Sequence, residues 1–267
     1  MRLKGNGGMA LEQRDIQALI DLNNVFYRRA SASFSQSRQT AWPGWERVAS
    51  LLRPQDATVF DAACGNLRFE RYLRQRFGDG RFTFSCVDSC RGLVGDIEGV
   101  RFEERDILEA LRANEPLFAM GEERFDVAVS FGFMHHIPTY DLRLRFLESL
   151  LQQVKPGGIV AVSFWRFMSD EKLAKKARAT TRDAQEKLGL ALEDDDYLLG
   201  WNDEPDLYRY CHHFSDEEIS RLVRDVSNQA TLTDRFEADG RTNALNGYVV
   251  FHTIANEQSA IRHQSTR

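Results

Sequence analysis

Between residues 11 and 30 the apolar positions fall at helical spacing, with Ile16, Leu19, Ile20, Leu22, Val25 and Phe26 on one stripe. That spacing predicts a helix. The polar stretch "SASFSQSRQTAWPGW" then reads as a loop, and Trp42-Pro43 opens a second helix through Val48 and Leu51 that ends at Pro54. Beyond it the pattern alternates between strand and helix periods. "TVFDAA", "FTFSCVD", "VRFEERDI", "RFDVAVSFGF" and "IVAVSFW" read as successive strands. Between them lie a helix, "RFERYLRQRFG", ending at Gly78, a weak helix after the second strand, and the amphipathic "DLRLRFLESLLQQVKPGG", stopped by Pro156-Gly157-Gly158. "TLTDRFEA" and "GYVVFHTIA" form a closing pair of strands. Strands alternating with helices at this spacing predict an α/β fold, with a Rossmann-like, mostly parallel sheet covered on both faces.

Residues 166 to 213 interrupt the alternation. "DEKLAKKARATTRDAQEKLGLALEDDD" is charged and helical, and "YLLGWNDEPDLYRYCHHF" is aromatic and irregular. Their place between the fifth strand and the closing pair makes them an insertion over the carboxyl edge of the sheet. Ser215, with Glu218 three residues on, starts a further capped helix. The expected organisation is one domain. It has a disordered start (1–10), an N-terminal helical lid (11–54) and a sheet core (55–165 and 228–256). A substrate cap (166–227) and a polar tail (257–267) complete it.

Composition narrows the class. Hydrophobic residues at 42% and charged residues at 28% suit a soluble globular chain. No apolar run approaches the ~18 residues of a membrane span, and the N-terminus lacks the apolar middle of a signal peptide. Cys64, Cys86, Cys90 and Cys211 imply no disulfide framework in a chain this long, and a reducing, cytoplasmic compartment. A net charge of −5 argues against a sequence-blind nucleic-acid coat. From Arg166 to Lys187, however, seven basic residues face four acidic ones. Such a helix either contacts phosphates or is a solvated, salt-bridged face. The aromatic segment that follows either stacks on an extruded base or walls off a small-molecule pocket.

The candidate chemistry sits at strand ends, where open α/β sheets bind ligands. The first strand runs into Asp61 and a turn of small residues, Ala63-Cys64-Gly65-Asn66. The second ends at Asp88-Ser89, where an acid can accept both ribose hydroxyls of an adenosine. The third is followed by Asp106-Ile107, a carboxylate for an adenine amino group and an apolar cover for the ring. The fourth ends at Ser130-Phe131, before "GFMHHI". A lone Asp at a strand end is commonly a turn former or a helix cap; acids at three successive strand ends make a set.

This set resembles the class I S-adenosylmethionine-dependent methyltransferases. Their first motif is an acid followed by G-x-G-x-G, which here reads Asp61 and then Ala63-Cys64-Gly65-Asn66-Leu67, with two of the three glycines replaced. A dinucleotide enzyme needs those glycines for its pyrophosphate, whereas this cofactor has none. "VKPGGIVAVSF" matches the family's helix-turn-strand. The resemblance implies S-adenosylmethionine as cofactor, held by the residues above together with Arg38 and Trp42.

A closer likeness covers residues 25 to 252, apart from the middle of the insertion. "FSQSRQTAWP", "MHHIPT" and "LYRYCHHF" resemble segments of the methyltransferases that esterify 5-carboxymethyluridine at the tRNA wobble position, with Ser37 for their Thr and Cys211 for their second Tyr. This implies tRNA as substrate and transfer of a methyl group to a carboxylate oxygen. Arg209, His136 and His212 become candidates to orient that carboxylate, while Arg38 would hold the cofactor's own carboxylate bidentately. His135 is the less favoured of the paired histidines. Eukaryotic relatives of this family work with a small zinc-containing activator subunit, so such a partner is a further implication. Cys211-His212-His213 lacks a second ligand pair at suitable spacing, and no metal is expected. Two other readings fit the same residues: a methyltransferase of a small carboxylate or hydroxyl compound, and a degenerate, non-catalytic member, the latter motivated by the lost glycines.

Overall fold

The computed structural model describes residues 11–55, 57–95, 98–118, 124–201 and 204–254. The segments expected to be a disordered start (1–10) and a polar tail (257–267) lie outside them.

Seven strands form one sheet: β1 (Ala57–Ala62), β2 (Phe82–Asp88), β3 (Val100–Glu104), β4 (Phe125–Ser130), β5 (Val154–Trp165), β8 (Ala230–Ala238) and β9 (Asn246–Thr253). Their order is β3-β2-β1-β4-β5-β9-β8. β1 to β5 run parallel, and β9 is antiparallel to both β5 and β8. The winding reverses between β1 and β4, so loops diverge at the carboxyl ends of β1, β2 and β4 and leave a crevice there. The central strands are apolar on both faces because both are covered. One core packs Phe60, Val160 and Val162 against α5 (Tyr140–Gln152) through Phe146, Leu147 and Leu150. The other packs Val59, Phe84 and Val129 against α2 (Gly44–Leu51) and α3 (Arg68–Phe77), through Trp45, Val48, Phe69 and Leu73.

Two expectations need correcting. The first helix, α1 (Gln13–Gln36), runs through the stretch expected to be a loop, which shrinks to residues 37–43. Small polar residues such as those of "SASFSQ" are weak helix formers. Here Ala30 and Phe34 gain a packing surface on Phe26, Leu207 and Trp201, which outweighs propensity. The aromatic part of the insertion is not irregular either. It is an antiparallel hairpin of β6 (Asp196–Gly200) and β7 (Tyr208–His212). A seven-residue connection containing Pro205 hid the pairing in the sequence.

Helix α6 (Glu171–Leu188) packs its small residues Ala174, Ala177, Thr181 and Ala184 against the hairpin. Helix α7 (Asp216–Asp225) starts at Ser215, whose Oγ accepts from the Glu218 amide as expected. All four cysteines are free and buried. Among the described residues no helix is long and apolar enough to cross a membrane.

Candidate active site

A cavity of about 560 Å³ opens at the carboxyl ends of β1, β2 and β4, roofed by α1, residues 37–43 and the hairpin. One half is built on the turn after β1. Ala63, Gly65 and Leu67 all have left-handed backbones, with φ of 63°, 56° and 58°. The turn therefore keeps the conformation that glycines would have favoured, at a steric cost at two positions. Two contacts offset that cost. The Ala63 and Cys64 amides donate to the Val87 carbonyl, and Leu67 is only 1% exposed in the core. Asn66 Nδ2 donates to the Arg38 carbonyl at 2.9 Å, and Arg68 donates to the Thr40 carbonyl at 3.0 Å, fastening residues 37–43 to the turn. At the far end of that segment the Gly44 amide donates to Asp239, which also accepts from Asn246 and Tyr248.

Three carboxyl groups face this half of the cavity. Asp61 is buried at the end of β1, and one of its oxygens, Oδ1, has no donor partner among the described residues. Burial holds its carboxyl well above the usual range, and the neighbouring Glu70 carboxyl raises it further. Asp88 accepts from the amides of Gly65 and Cys90 at 2.9 and 2.8 Å. Burial lifts it to about 6, against the pull of those two bonds. Asp106 caps α4 (Ile107–Arg112) through Oδ1 and accepts from Asn24 through Oδ2 at 2.8 Å.

The other half is aromatic and cationic. The Arg209 guanidinium, reaching in from β7, lies 5.1–5.6 Å from the ring centres of Phe26, Phe34, Trp165 and Trp201. Arg38 stacks on Phe34 at 3.7 Å. Among the described residues neither arginine forms an ion pair with a carboxylate, and Arg209 Nε has no partner at all. Burial and the neighbouring Arg209 bring Arg38 down to about 10, which leaves it charged at neutral pH. His136 contacts the Tyr210 carbonyl through Nδ1 at 2.9 Å and the Tyr27 hydroxyl through Nε2 at 2.7 Å. A carbonyl can only accept, so Nδ1 carries the hydrogen and Nε2 accepts from the phenol. Burial and Arg209 push His136 down to about 3, and burial together with His136 pushes His135 well below its ordinary range. Both rings are neutral at pH 7.

The chain matches the model of a methyltransferase domain family over residues 35–226. It is 27% identical over 206 residues to a protein of Encephalitozoon cuniculi (strain GB-M1) provisionally named a methyltransferase, covering 75% of this chain and 83% of that one. It is 30% identical over 141 residues to the tRNA (carboxymethyluridine(34)-5-O)-methyltransferase of Arabidopsis thaliana, covering 52% of this chain and 31% of that protein. Among solved structures, the DhpI–SAH complex superposes with a TM-score of 0.59 at 14% identity, over 90% of this chain and 99% of that one. The chain belongs to the methyltransferase domain family. It is a class I enzyme dependent on S-adenosylmethionine.

The methyltransferase cavity fits that cofactor. The partnerless oxygen of Asp61 suits a cationic group, Asp88 suits ribose hydroxyls, and Asp106 with Ile107 borders the place for a base. The cavity gathers Arg38, Trp42, Asp61, Ala63, Cys64, Gly65, Asn66, Asp88, Ser89, Asp106, Ile107, Phe131, His136 and Arg209, all expected from the sequence. Two expected residues are not in its wall. Ser130 is fully buried, with its hydroxyl spent on the Ala62 carbonyl. His212 alternates away from Arg209 on β7 and lies between two carboxylates, Asp196 at 2.8 Å and Glu218 at 2.7 Å. Burial works against its charge, but these two partners outweigh it and raise its pKa. Glu218 in turn pairs with Arg143 at 2.9 Å. His212 is therefore a structural cation in the methyltransferase, not a group at the substrate. The wall also holds Tyr27, Asn24 and Trp165, which no motif had flagged. Tyr27 falls on α1's own apolar stripe beside Ile16, Ile20 and Asn23, and Asn24 at its edge, so helical spacing marks both as packing residues.

Proposed function

We propose that this chain O-methylates the carboxylate of a 5-carboxymethyl-type uridine in tRNA. The carrying observation is the pair of guanidinium groups in the aromatic half, Arg38 and Arg209, facing the cavity without a carboxylate partner among the described residues; a third, Arg68, also lines the cavity, but it donates to the Thr40 carbonyl and lies over Trp42 and Trp45. Arg209 is buried and Arg38 half-buried, and guanidinium groups withdrawn from water call for anions. The cofactor brings a single carboxylate, which Arg38 would bind from the segment fastened over the turn. Arg209 is then left for a carboxylate on the acceptor. The likeness to the Arabidopsis enzyme names such an acceptor, although the chain spans only about a third of that protein.

The bound cofactor supplies an activated methyl group on its sulfonium. An acceptor carboxylate is already ionised at neutral pH, so this chain needs no general base. Arg209, held in place by four rings, orients the carboxylate. Tyr27 and neutral His136 form a fixed hydrogen-bonded pair beside it and add no competing anion. The aromatic wall excludes water, so rate comes mainly from alignment. The degenerate, non-catalytic reading loses its motive, because the turn keeps its left-handed geometry without the glycines.

The test is incubation of the protein and S-adenosylmethionine with tRNA bearing carboxymethyluridine. A base-labile methyl ester on the RNA is expected. Its absence, with cofactor binding verified by calorimetry, refutes the acceptor assignment.

A further inference from the structure

We propose that the outward face of α6 is the surface that holds the phosphate backbone of the RNA substrate; this rests on the reading of tRNA as acceptor. Lys172, Lys175, Lys176, Arg178 and Arg182 are all exposed; the three lysines lie on the side of the helix opposite Ala174, Ala177, Thr181 and Ala184, and the two arginines flank it. No acidic residue lies between Glu171 and Asp183. Ordinary solvated helices intersperse signs at i,i+4 spacing. Here that pairing occurs only at the C-terminal end, where Lys187 meets Asp183 and Asp206. Among the described residues the five cations upstream form no ion pair, in a chain whose net charge is −5. A concentrated, uncompensated positive face in an acidic protein matches a polyanion.

The placement also fits. The helix is docked firmly: Asp170 caps its first turn, and Thr181 Oγ1 accepts from the Leu198 amide at 3.0 Å. It lies on the hairpin that carries Arg209 and ends in Trp201, both of which line the cavity. The cations therefore lie on the outer side of a helix that is bonded to β6, the strand paired with the one that carries Arg209. From Lys172 to Arg182 they span about 15 Å at 1.5 Å per residue, enough for several consecutive phosphates. A nucleotide turned out of the stack toward Arg209 would leave its neighbours' phosphates on this face.

The test uses the full chain and a fluorescein-labelled, unmodified anticodon stem–loop RNA, with anisotropy measured from 50 to 200 mM salt. For K172Q/K175Q/K176Q the affinity at the lowest salt is expected to fall at least ~10-fold. The slope of log K against log salt should shrink by about 2–3, as three lost phosphate contacts require. Removing Arg221 and Arg224, exposed on α7, should change neither, and cofactor affinity should stay the same in both variants. Methyl transfer to the free carboxymethyluridine nucleoside, which has no phosphate, should also be unaffected by the α6 substitutions. Unchanged RNA binding by the α6 variant overturns this surface and leaves the tRNA reading standing. A wild-type protein that esterifies the nucleoside but binds no RNA overturns the surface and the RNA substrate together, and spares the carboxylate chemistry. Failure on both RNA and nucleoside overturns the proposed function itself. Competition by polyglutamate as effective as RNA of equal charge overturns the assignment to nucleic acid.

Discussion

Replacing His212 with alanine should cost stability, not catalysis, and the cost should depend on pH. The ring donates to Asp196 and Glu218 at 2.8 and 2.7 Å and is 3% exposed. Its removal leaves Asp196 with the Tyr210 hydroxyl and the Glu193 amide, and Glu218 with Arg143. Deleting one member of a buried, hydrogen-bonded charge cluster costs about 3–5 kcal/mol. The surviving donors to each carboxylate place the expected loss at the lower end, ~3 kcal/mol. For a chain of this size each kcal/mol moves Tm by roughly 2–4 °C, so a drop of about 6–12 °C is expected near pH 6. The sign with pH follows from the raised pKa of His212 in the folded state. Its contribution is fully present below its unfolded pKa of about 6.5 and is lost as pH rises through the folded value. The gap between wild type and variant should therefore narrow under alkaline conditions, to what the neutral ring still contributes by packing and one hydrogen bond. Urea unfolding at a series of pH values measures the gap. A gap below ~1 kcal/mol at pH 6, or one that does not narrow with rising pH, refutes the assignment of His212 as a charged structural tie. Loss of turnover in a variant whose stability is intact would return His212 to the substrate.

Arg209→Met should reduce kcat/KM for the carboxylate acceptor by about 10–100-fold, the worth of a charge-assisted bond, with cofactor affinity unchanged in calorimetry. Cofactor affinity should weaken as pH falls below about 6, where Asp88 takes up a proton, and Asp88→Asn should flatten that profile. Gly44→Ala would place a Cβ 2.5 Å from the Tyr248 ring, and thermal denaturation should show a loss of about 1–3 kcal/mol. Leu67→Gly restores a family glycine at a left-handed position, yet it empties a fully packed site. Stability should fall by at least ~2 kcal/mol, whereas Ala63→Gly should leave it unchanged or slightly raised.

The parallel sheet, its closing strands and the half of the cavity built on the strand ends were legible because each depends on local pattern: apolar runs, strand-end acids and a small-residue turn. Asp61, Asp88 and Asp106 could be placed from the strands that carry them. The acceptor half was harder to read. Arg209 and His212 sit three apart on one strand and so face opposite ways, which could be seen only once β7 was known to be a strand. Its pairing with β6 spans a seven-residue connection, longer than the roughly two- to five-residue loops that mark a hairpin in sequence. Tyr27 became visible only because α1 crosses β7, where Asn23 accepts from the Tyr210 amide. Ser130 was misplaced for the opposite reason, since a residue at a strand end can still point sideways into its neighbour.

Asp239 gathers three donors, and its bond to the Gly44 amide has a kinetic consequence. With Asn66 and Arg68 gripping one end of residues 37–43 and Asp239 the other, this short span is a buckled strap, not a swinging flap. Spent cofactor must leave through the aromatic mouth that admits the acceptor, or wait for the buckle to open. Turnover should then be paced by departure of the demethylated cofactor, and opening the buckle by Asp239→Ala, which removes the acceptor of the Gly44 amide, should speed exchange while leaving the methyl-transfer step itself untouched.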